Sequence, residues 1–279
     1  MITDCHTHLW RREHWSEEMA REAEIARGRP ARIHVEDSEH WEAMEAVGRA
    51  IVFGFHARHL GWVVPNDLIA AYVAQHPDKL AGFACLDPAE PDYLDEMRRV
   101  FEDLRLRGLK LAPIYQDYHV MDERMQPVYA YCQKRRLPLL IHQGTTFPRR
   151  APLKYALPIQ LEDVALAYPE LRIVIAHLGQ PWIDETLVLI RKQPHVYADL
   201  SALYYRPWQF YNALVAACEY GVTHKLLFGS DFPFTTPAES IAGLRNVNQV
   251  TGDSGLPRVP GEVIEGILER DTFALLGLA

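Results

Sequence analysis

Residues 172–179, "RIVIAHLG", are the stretch of sequence that decides the fold. A run of four apolar residues ends at a histidine, and a glycine follows two positions later. A short continuous apolar run bounded by turn residues is typical of a parallel strand that is buried on both faces. The stretch therefore predicts an inner strand of an α/β sheet, with His177 at its carboxyl end.

Similar runs recur along the whole chain and alternate with amphipathic stretches such as Pro65–His76. Strands that alternate with helices indicate βαβ units and a parallel sheet. Eight such units favour a distorted (β/α)8 TIM barrel, and a doubly wound open sheet is the alternative. The predicted strands are Ile2–His6, Ala50–Phe55, Leu80–Leu86, Gly108–Ala112, Pro138–His142, Arg172–His177, His195–Leu200 and Lys225–Ser230.

Residues 10–45 depart from this rhythm, because they are long, charged and mostly helical in pattern. A barrel needs only one helix between its first two strands. The surplus predicts a helical insertion after the first strand, placed at the barrel mouth as a lid or an oligomer contact. No linker composition interrupts the chain, so residues 1–279 are predicted to form one domain.

Composition excludes several classes of function. The net charge is −8 and there is no basic stripe, which argues against nucleic-acid binding. No apolar run approaches the roughly 20 residues that a membrane span requires. There is no signal-peptide pattern, and the four cysteines show no CxxC spacing, so a reducing, cytoplasmic location is expected.

Five polar residues stand at the ends of predicted strands. Because the carboxyl ends of barrel strands meet at one face, these side chains are expected to converge. Imidazole and carboxylate groups together suit zinc and other borderline divalent ions. Each position alone is a weak signal, but the whole set predicts a metal site. The five residues are His6, His8, His142, His177 and Asp231.

The segments that carry these residues resemble the amidohydrolase superfamily. They read "DCHTHL", "GLKLAPIYQ", "LPLLIHQG", "IVIAHLG" and "FGSDFP". More narrowly, they are similar to the amidohydrolase-related branch that includes aminocarboxymuconate-semialdehyde decarboxylase and uncharacterised metal-dependent hydrolases. The resemblance implies a distorted TIM barrel. It also implies metal ligands at His6, His8, His142 and Asp231, and catalytic roles for Asp231 and His177.

Lys110 lies in the fourth predicted strand and raises the question of metal number. In binuclear members of the superfamily a carbamylated lysine at this place bridges two metals, and desolvation would favour the neutral amine that carbamylation needs. One-metal members of the branch carry a similar lysine segment without the bridge. One divalent metal, with zinc as the favoured ion, is therefore the interpretation, and a bridge through Lys110 is the alternative.

Two reactions fit such a site. A metal with an open coordination position lowers the pKa of bound water to about 7. Asp231 would accept the proton, and His177 would stabilise charge on the attacked oxygen. This predicts a hydrolase acting on an amide, ester or lactone of a small carboxylated or cyclic molecule. The alternative is a non-oxidative decarboxylase, and the segment "LGQPWIDE" at 178–185 favours hydrolysis by its likeness to the small hydrolases.

Aromatic and cationic side chains after the strands are the candidates for substrate contact, since they suit a planar or carboxylated small molecule. Asp199 is assigned a structural role, and most remaining histidines, His40 among them, are expected to face solvent. Dimers are frequent in the branch, so a homodimer is also considered. The predicted substrate-binding residues are His56, Arg58, Tyr115, Trp182, Tyr204 and Arg206.

Overall fold

Eight parallel strands form the centre of the protein and confirm the predicted barrel. The computed structural model describes residues 1–28 and 30–278. Arg29, in the predicted insertion, and Ala279, at the end of the predicted domain, lie outside the described residues. Neighbouring strands in the sheet follow chain order. The strands, β1 to β8, span Thr3–His8, Arg49–Phe53, Leu80–Cys85, Gly108–Leu111, Leu139–Ile141, Ile173–Ile175, Val196–Asp199 and Leu226–Leu227.

The two ends of the sheet meet, so the sheet is a nearly closed barrel rather than the open alternative. The backbone N–H of Cys5 in β1 donates to the carbonyl of Phe228, just after β8, at 2.9 Å. The N–H of Asp231 donates to the carbonyl of His6, also at 2.9 Å. These bonds join the last strand to the first and bring the polar segment after β8 beside the histidines of β1.

Side chains alternate between the two sides of the barrel wall, as strand geometry requires. Leu139 and Ile141 pack outward against the helices, whereas Leu140 between them packs inside the barrel. Phe273 and Leu276 from the end of the chain join the inner cluster. The barrel is therefore a filled core and not a pore, and its carboxyl-terminal end is left for the site.

Helices surround the barrel. In the described residues they are α1 (Glu17–Arg27), α2 (Asp37–Ala43), α3 (Asn66–Val73), α4 (Tyr93–Glu102), α5 (Pro113–Gln116), α6 (Gln126–Arg135), α7 (Leu161–Ala167), α8 (Ile183–Lys192), α9 (Pro207–Glu219), α10 (Pro237–Arg245), α11 (Gly261–Leu268) and α12 (Thr272–Leu276). None of them is both long and apolar enough to cross a lipid bilayer.

Helices α1 and α2 belong to the segment predicted as an insertion, and a buried histidine attaches α2 to the barrel. His40 Nε2 lies 2.9 Å from Thr7 Oγ1 in β1, and its Nδ1 lies 2.9 Å from Tyr72 Oη. Burial lowers the pKa of His40 to about 3, so the ring is neutral and both nitrogens serve as hydrogen-bond partners. The expectation that His40 faces solvent is wrong, because it lies on the apolar side of α2.

Candidate metal centre

A cavity of about 800 Å³ opens at the carboxyl-terminal end of the strands. The structure brings every predicted strand-end residue to its wall, together with Lys110. These side chains come from β1, β4 and the segments that follow β5, β6 and β8, so only the closed barrel makes them neighbours. They are His6, His8, Lys110, His142, His177 and Asp231.

A bulge in β1 helps to aim the two histidines of the first strand. The pairing of β1 with β2 shifts register between Asp4 and Thr7. Bulges of this kind re-aim side chains next to active sites. His6 and His8 consequently face the same cavity with their ring centroids 5.1 Å apart.

Three ligand atoms gather at the bottom of the cavity. Nε2 of His6 and Nε2 of His8 each lie 3.4 Å from Oδ1 of Asp231. All three atoms lie within 4.8 Å of one another. The Nε2 atom of His6 is buried and has no hydrogen-bond partner among the described residues. A buried polar atom without a partner is costly, and a divalent cation would satisfy it, so these residues fit a metal.

Asp231 is placed by an unusual backbone conformation and by a second carboxylate. Its φ angle is +65°, in the left-handed region that aspartate tolerates better than most residues. Just before it, the N–H of Ser230 donates to Asp4 Oδ1 at 2.9 Å, and the N–H of His6 donates to the same oxygen at 3.1 Å. Asp4 thus fixes the Asp231 turn against β1, a role that the sequence analysis did not assign.

The charge of Asp231 depends on its surroundings. Burial raises the pKa of this carboxyl group to about 8, while the nearby cations Arg27 and Lys110 act in the opposite direction. A metal ion in the site adds positive charge beside the carboxylate and favours its ionised form. The carboxyl group therefore suits a cation-binding site better than an empty apolar pocket.

Asp199 and Ser201 lie directly behind the histidines. Asp199 Oδ2 accepts a hydrogen bond from Nδ1 of His6 at 2.9 Å, and its Oδ1 accepts one from the backbone N–H of His177 at 3.0 Å. The hydroxyl of Ser201 donates to Asp199 and accepts from Nδ1 of His177, at 2.7 Å in the second case. The structural role predicted for Asp199 is thus incomplete, because it also orients a ligand.

These bonds determine which ring nitrogens carry protons. A carboxylate only accepts hydrogen bonds, so His6 is protonated on Nδ1 and keeps a lone pair on Nε2. The serine hydroxyl gives its hydrogen to Asp199, so His177 must also carry its proton on Nδ1. Burial lowers the pKa of both rings well below the usual value, which keeps them neutral. Neutral imidazoles with free Nε2 lone pairs are the form that binds metals.

His142 reaches the cavity but lies outside the group of three ligand atoms. Its Nε2 is 3.1 Å from the carbonyl oxygen of Thr145. A carbonyl only accepts, so the proton is on Nε2 and the lone pair is on Nδ1. Burial lowers the pKa of His142 to about 3, and its ring centroid is 5.0 Å from that of His177. It adjoins the metal group as a further neutral imidazole.

Lys110 is buried in the wall of the cavity. Its Nζ has no hydrogen-bond partner among the described residues and lies 4.8 Å from the centre of the Phe53 ring. Burial lowers the pKa of this amine to about 8, so deprotonation requires little free energy near neutral pH.

Two of the six predicted substrate-binding residues, Tyr115 and Arg206, line the cavity. His56 and Arg58 do not, because both turn to Glu90, at 3.3 and 2.9 Å respectively. Glu90, in the loop after β3, therefore holds these two side chains away from the cavity.

Tyr204 and Trp182 also lie outside the cavity wall. The Tyr204 ring is partly buried and packs against Phe210 and Phe228, with ring centroids 5.0 and 6.2 Å away. Trp182 immediately precedes α8 and packs on the outer core. Several residues that line the cavity were not predicted from the sequence: Arg27, Phe55, Trp62, Thr146, Phe147 and Phe234.

Gly229 provides a test of how tightly the first ligand is packed. A Cβ at this position would lie 2.8 Å from the Cβ of His6 and 3.4 Å from the sulfur of Cys5. We expect Gly229→Ala to displace His6 and to lower the free energy of unfolding by about 1–3 kcal/mol, as overpacking does. Chemical denaturation measures this loss.

Gly266 in α11 supplies the control for that substitution. Nothing lies within 4 Å of a Cβ added there. Gly266→Ala should leave stability unchanged or raise it by up to about 1 kcal/mol, since alanine favours a helix over glycine. Equal stability of the Gly229→Ala and Gly266→Ala proteins would contradict the close packing of His6.

The comparisons with known proteins agree with this geometry. A protein-family model described as Amidohydrolase matches residues 3–269. The chain belongs to the amidohydrolase family. This confirms the resemblance inferred from the strand-end motifs. No match to this amidohydrolase was found among the curated proteins.

Solved structures share the barrel of this amidohydrolase over nearly the whole chain. An uncharacterised TIM-barrel protein from Bordetella bronchiseptica is 21% identical, with a TM-score of 0.73 and 99% of each chain covered. A probable 2-pyrone-4,6-dicarboxylic acid hydrolase from Acinetobacter baumannii, solved with citric acid, is 18% identical, with a TM-score of 0.71 and 99% of each chain covered. The 5-carboxyvanillate decarboxylase from Sphingomonas paucimobilis is 16% identical, with a TM-score of 0.68, covering 100% of this chain and 99% of that chain. At these identities the likeness shows the fold alone.

Proposed function

We propose that this protein is a metal-dependent hydrolase that cleaves an amide, ester or lactone in a small carboxylated or cyclic molecule. The observation that carries the proposal is the group formed by His6, His8 and Asp231, in which the buried Nε2 of His6 has no hydrogen-bond partner in the part of the chain that the structure describes. Family membership supports enzymatic activity, because the family model covers the segments that hold all three residues.

The proposed cofactor is one divalent ion held by His6, His8 and Asp231, with His142 beside them. Imidazole and carboxylate donors favour zinc. Similar folds have been solved with zinc, in a Burkholderia multivorans amidohydrolase, and with manganese, in a Polaromonas dihydroxybenzoic acid decarboxylase. When bound, such an ion supplies Lewis acidity and lowers the pKa of a coordinated water to about 7. A second ion would need a carbamylated Lys110 as its bridge.

The chain's own residues then handle protons and position. Asp231 is itself one of the three residues of the metal group, so its carboxylate could accept a proton from the attacking water and pass it to the leaving group. His177 carries its proton on Nδ1, so its Nε2 is a hydrogen-bond acceptor in the cavity wall. This tautomer differs from the one that the expected role of His177 requires. The ring stabilises negative charge on the substrate only when its Nε2 carries a proton. Aromatic side chains such as Trp62 and Phe55 exclude water from one wall.

Decarboxylation is the second candidate, and one observation favours it. The cavity wall contains three basic residues, Arg27, Lys110 and Arg206, against the single acidic residue Asp231. A carboxylate is held well by such a set. The 5-carboxyvanillate decarboxylase shares the fold, which adds support to this alternative.

The proposal includes a cytoplasmic location and a small-molecule substrate. All four cysteines, Cys5, Cys85, Cys132 and Cys218, are free thiols, which suits a reducing compartment. A concave cavity with a few convergent polar groups is typical of a small-molecule site.

Metal analysis of the purified protein, combined with a product assay, tests the proposal. We expect about one equivalent of zinc per chain after reconstitution, as for a single catalytic site. The zinc-loaded protein is then incubated with carboxylated lactones, esters and amides and, separately, with hydroxylated aromatic acids. Ring-opened or cleaved acids, followed by NMR, support hydrolysis.

Two results would count against it. Less than about a tenth of an equivalent of divalent metal after reconstitution would remove the catalytic site that a metal hydrolase needs. Release of carbon dioxide from the aromatic acids, without hydrolysis of any lactone, ester or amide, would assign the decarboxylase reaction instead. A metal content near two equivalents would point to the carbamylated Lys110 bridge.

A further inference from the structure

The last turn of the inserted helix α1 reaches into the wall of the cavity. Ala26 and Arg27 both line it, although they lie outside the eight barrel units. Arg27 lines the cavity together with the metal group and acts electrostatically on Asp231. The insertion therefore contributes a charged group to the same space as the strand-end residues.

The guanidinium group of Arg27 is held flat and has no anionic partner. Its Cζ lies 3.7 Å from the centre of the Phe234 ring, which is the stacked arrangement that arginine makes on aromatic faces. Its Nε is buried without a hydrogen-bond partner among the described residues. No acidic side chain in the described part of the chain pairs with it within 4.0 Å.

The other arginine of the cavity differs from Arg27. Arg206 donates from one Nη to the carbonyl of Ala202 at 2.7 Å, and its Cζ lies 4.5 Å from the centre of the Tyr205 ring. Its charge is thus partly engaged by its own loop. Arg27, for which no side-chain hydrogen bond is seen among the described residues, thus has more free donors than Arg206.

We propose that Arg27 is a specificity-determining residue that binds a carboxylate of the substrate, one that is not part of the group at which the bond is broken. A planar guanidinium with free N–H groups matches a carboxylate geometrically, and its positive charge doubles the strength of those bonds. This inference rests on the proposed function, since it requires that the reacting end of the substrate lie at His6, His8 and Asp231. The substrate class is then a compact molecule with two acidic groups.

The competing explanation is that Arg27 only stabilises the fold. An arginine in the last turn of a helix interacts favourably with the helix dipole, and its stem covers apolar surface. That role would make Arg27→Gln less stable without changing which ligands bind. Only a carboxylate-binding role distinguishes a ligand with two carboxylates from one with a single carboxylate.

Isothermal titration calorimetry of the zinc-loaded protein separates the two explanations. The probes are benzene-1,3-dicarboxylate and benzoate, which share a ring and one carboxylate. We expect Arg27→Gln to weaken dicarboxylate binding by about tenfold or more, the usual effect of losing a hydrogen bond to a charged group, and to change benzoate binding by less than about twofold. Arg27→Lys, which keeps the charge but not the flat fork, should fall between the wild type and Arg27→Gln.

Arg12→Gln is the matched control, because Arg12 also belongs to the 10–45 segment but pairs with Glu17 at the surface. It should bind both probes like the wild type. Equal losses for both probes in Arg27→Gln, or no loss for either, would overturn the proposal, and so would a wild type that does not bind the dicarboxylate. If Arg27→Gln fails to fold, the Arg27→Lys protein decides by the same comparison. Because no substrate is turned over, a wrong reaction assignment leaves this result intact.

Discussion

Replacing Asp231 by asparagine is expected to lower kcat/KM by a factor of about 10³, within the range found when a general acid–base group is lost. The carboxylate is the one acidic group in the cavity wall, and its Oδ1 lies 3.4 Å from the Nε2 atoms of both His6 and His8. An amide of the same shape binds a divalent ion less tightly and does not take up a proton. Steady-state kinetics on the hydrolysed substrate measure the loss.

The control for this substitution is Asp253→Asn, at an exposed aspartate outside the cavity wall. It should retain wild-type kinetics and metal content. Metal content must be measured on the same Asp231→Asn preparation, since two roles are proposed for Asp231: metal binding and proton transfer. Wild-type kcat/KM in the Asp231→Asn protein would exclude Asp231 from both of them. Loss of activity with full zinc content would isolate the proton-transfer role.

The candidate metal residues could be predicted from the sequence because they stand at the ends of the same strands that define the fold. His142 and His177 follow apolar runs that stop at the carboxyl ends of strands, and His6 and His8 occupy alternate positions of the first strand. Residues placed by strand register in a barrel are brought together by the topology itself. A correct barrel assignment was therefore enough to predict that these four histidines lie close together.

Boundaries and turn geometry were harder to predict. His177 was assigned to the sixth strand, but β6 ends at Ile175 and His177 has a φ angle of +56° in the turn that follows. The amphipathic pattern of Pro260–Leu276 predicts one final helix, but the structure has two, since Asp271 accepts a hydrogen bond from Ala274 N–H and begins a new helix. Apolar periodicity continues through such points, whereas capping and backbone angles depend on local hydrogen bonds.

The residues that surround the candidate metal residues could not be predicted, because no periodic pattern in the sequence marks them. Arg27 belongs to a charged helix whose sequence reads as a solvated face, and only the path of the insertion brings it over the cavity. The loop residues Arg58 and His56 looked equally suitable, but their positions are decided by Glu90, which is distant in sequence. Side chains in loops are placed by long-range partners, so charge and aromaticity alone did not separate lining residues from surface ones.

Asp199→Asn is expected to weaken zinc binding by about 10- to 100-fold, the usual cost of losing a partner that orients a metal ligand. Three donors hold Oδ1 of Asp199: the backbone N–H groups of His177 and Ser201 and the Ser201 hydroxyl. In the asparagine variant these three donors keep the side-chain carbonyl oxygen of the new asparagine in the place of Oδ1. The amide NH2 group must then face Nδ1 of His6, where the carboxylate had accepted a hydrogen bond.

Two donors cannot face each other, so His6 must move its proton from Nδ1 to Nε2. That tautomer removes the lone pair which lies beside Asp231, and zinc must reverse the exchange in order to bind. A chelator-competition titration measures the weakened affinity. Saturating zinc should restore most of the activity of Asp199→Asn, whereas it should restore none of the proton-transfer role lost in Asp231→Asn.

Asp87→Asn is the matched control for a buried carboxylate, since Asp87 accepts hydrogen bonds from the backbone N–H groups of Arg58 and Ala89, at 2.9 Å each, away from the cavity wall. It should cost stability and leave zinc affinity unchanged. If Asp87→Asn and Asp199→Asn weakened zinc binding equally, the effect would come from general destabilisation of the barrel. An unchanged zinc affinity in Asp199→Asn would show that His6 keeps its lone pair on Nε2 without help from Asp199.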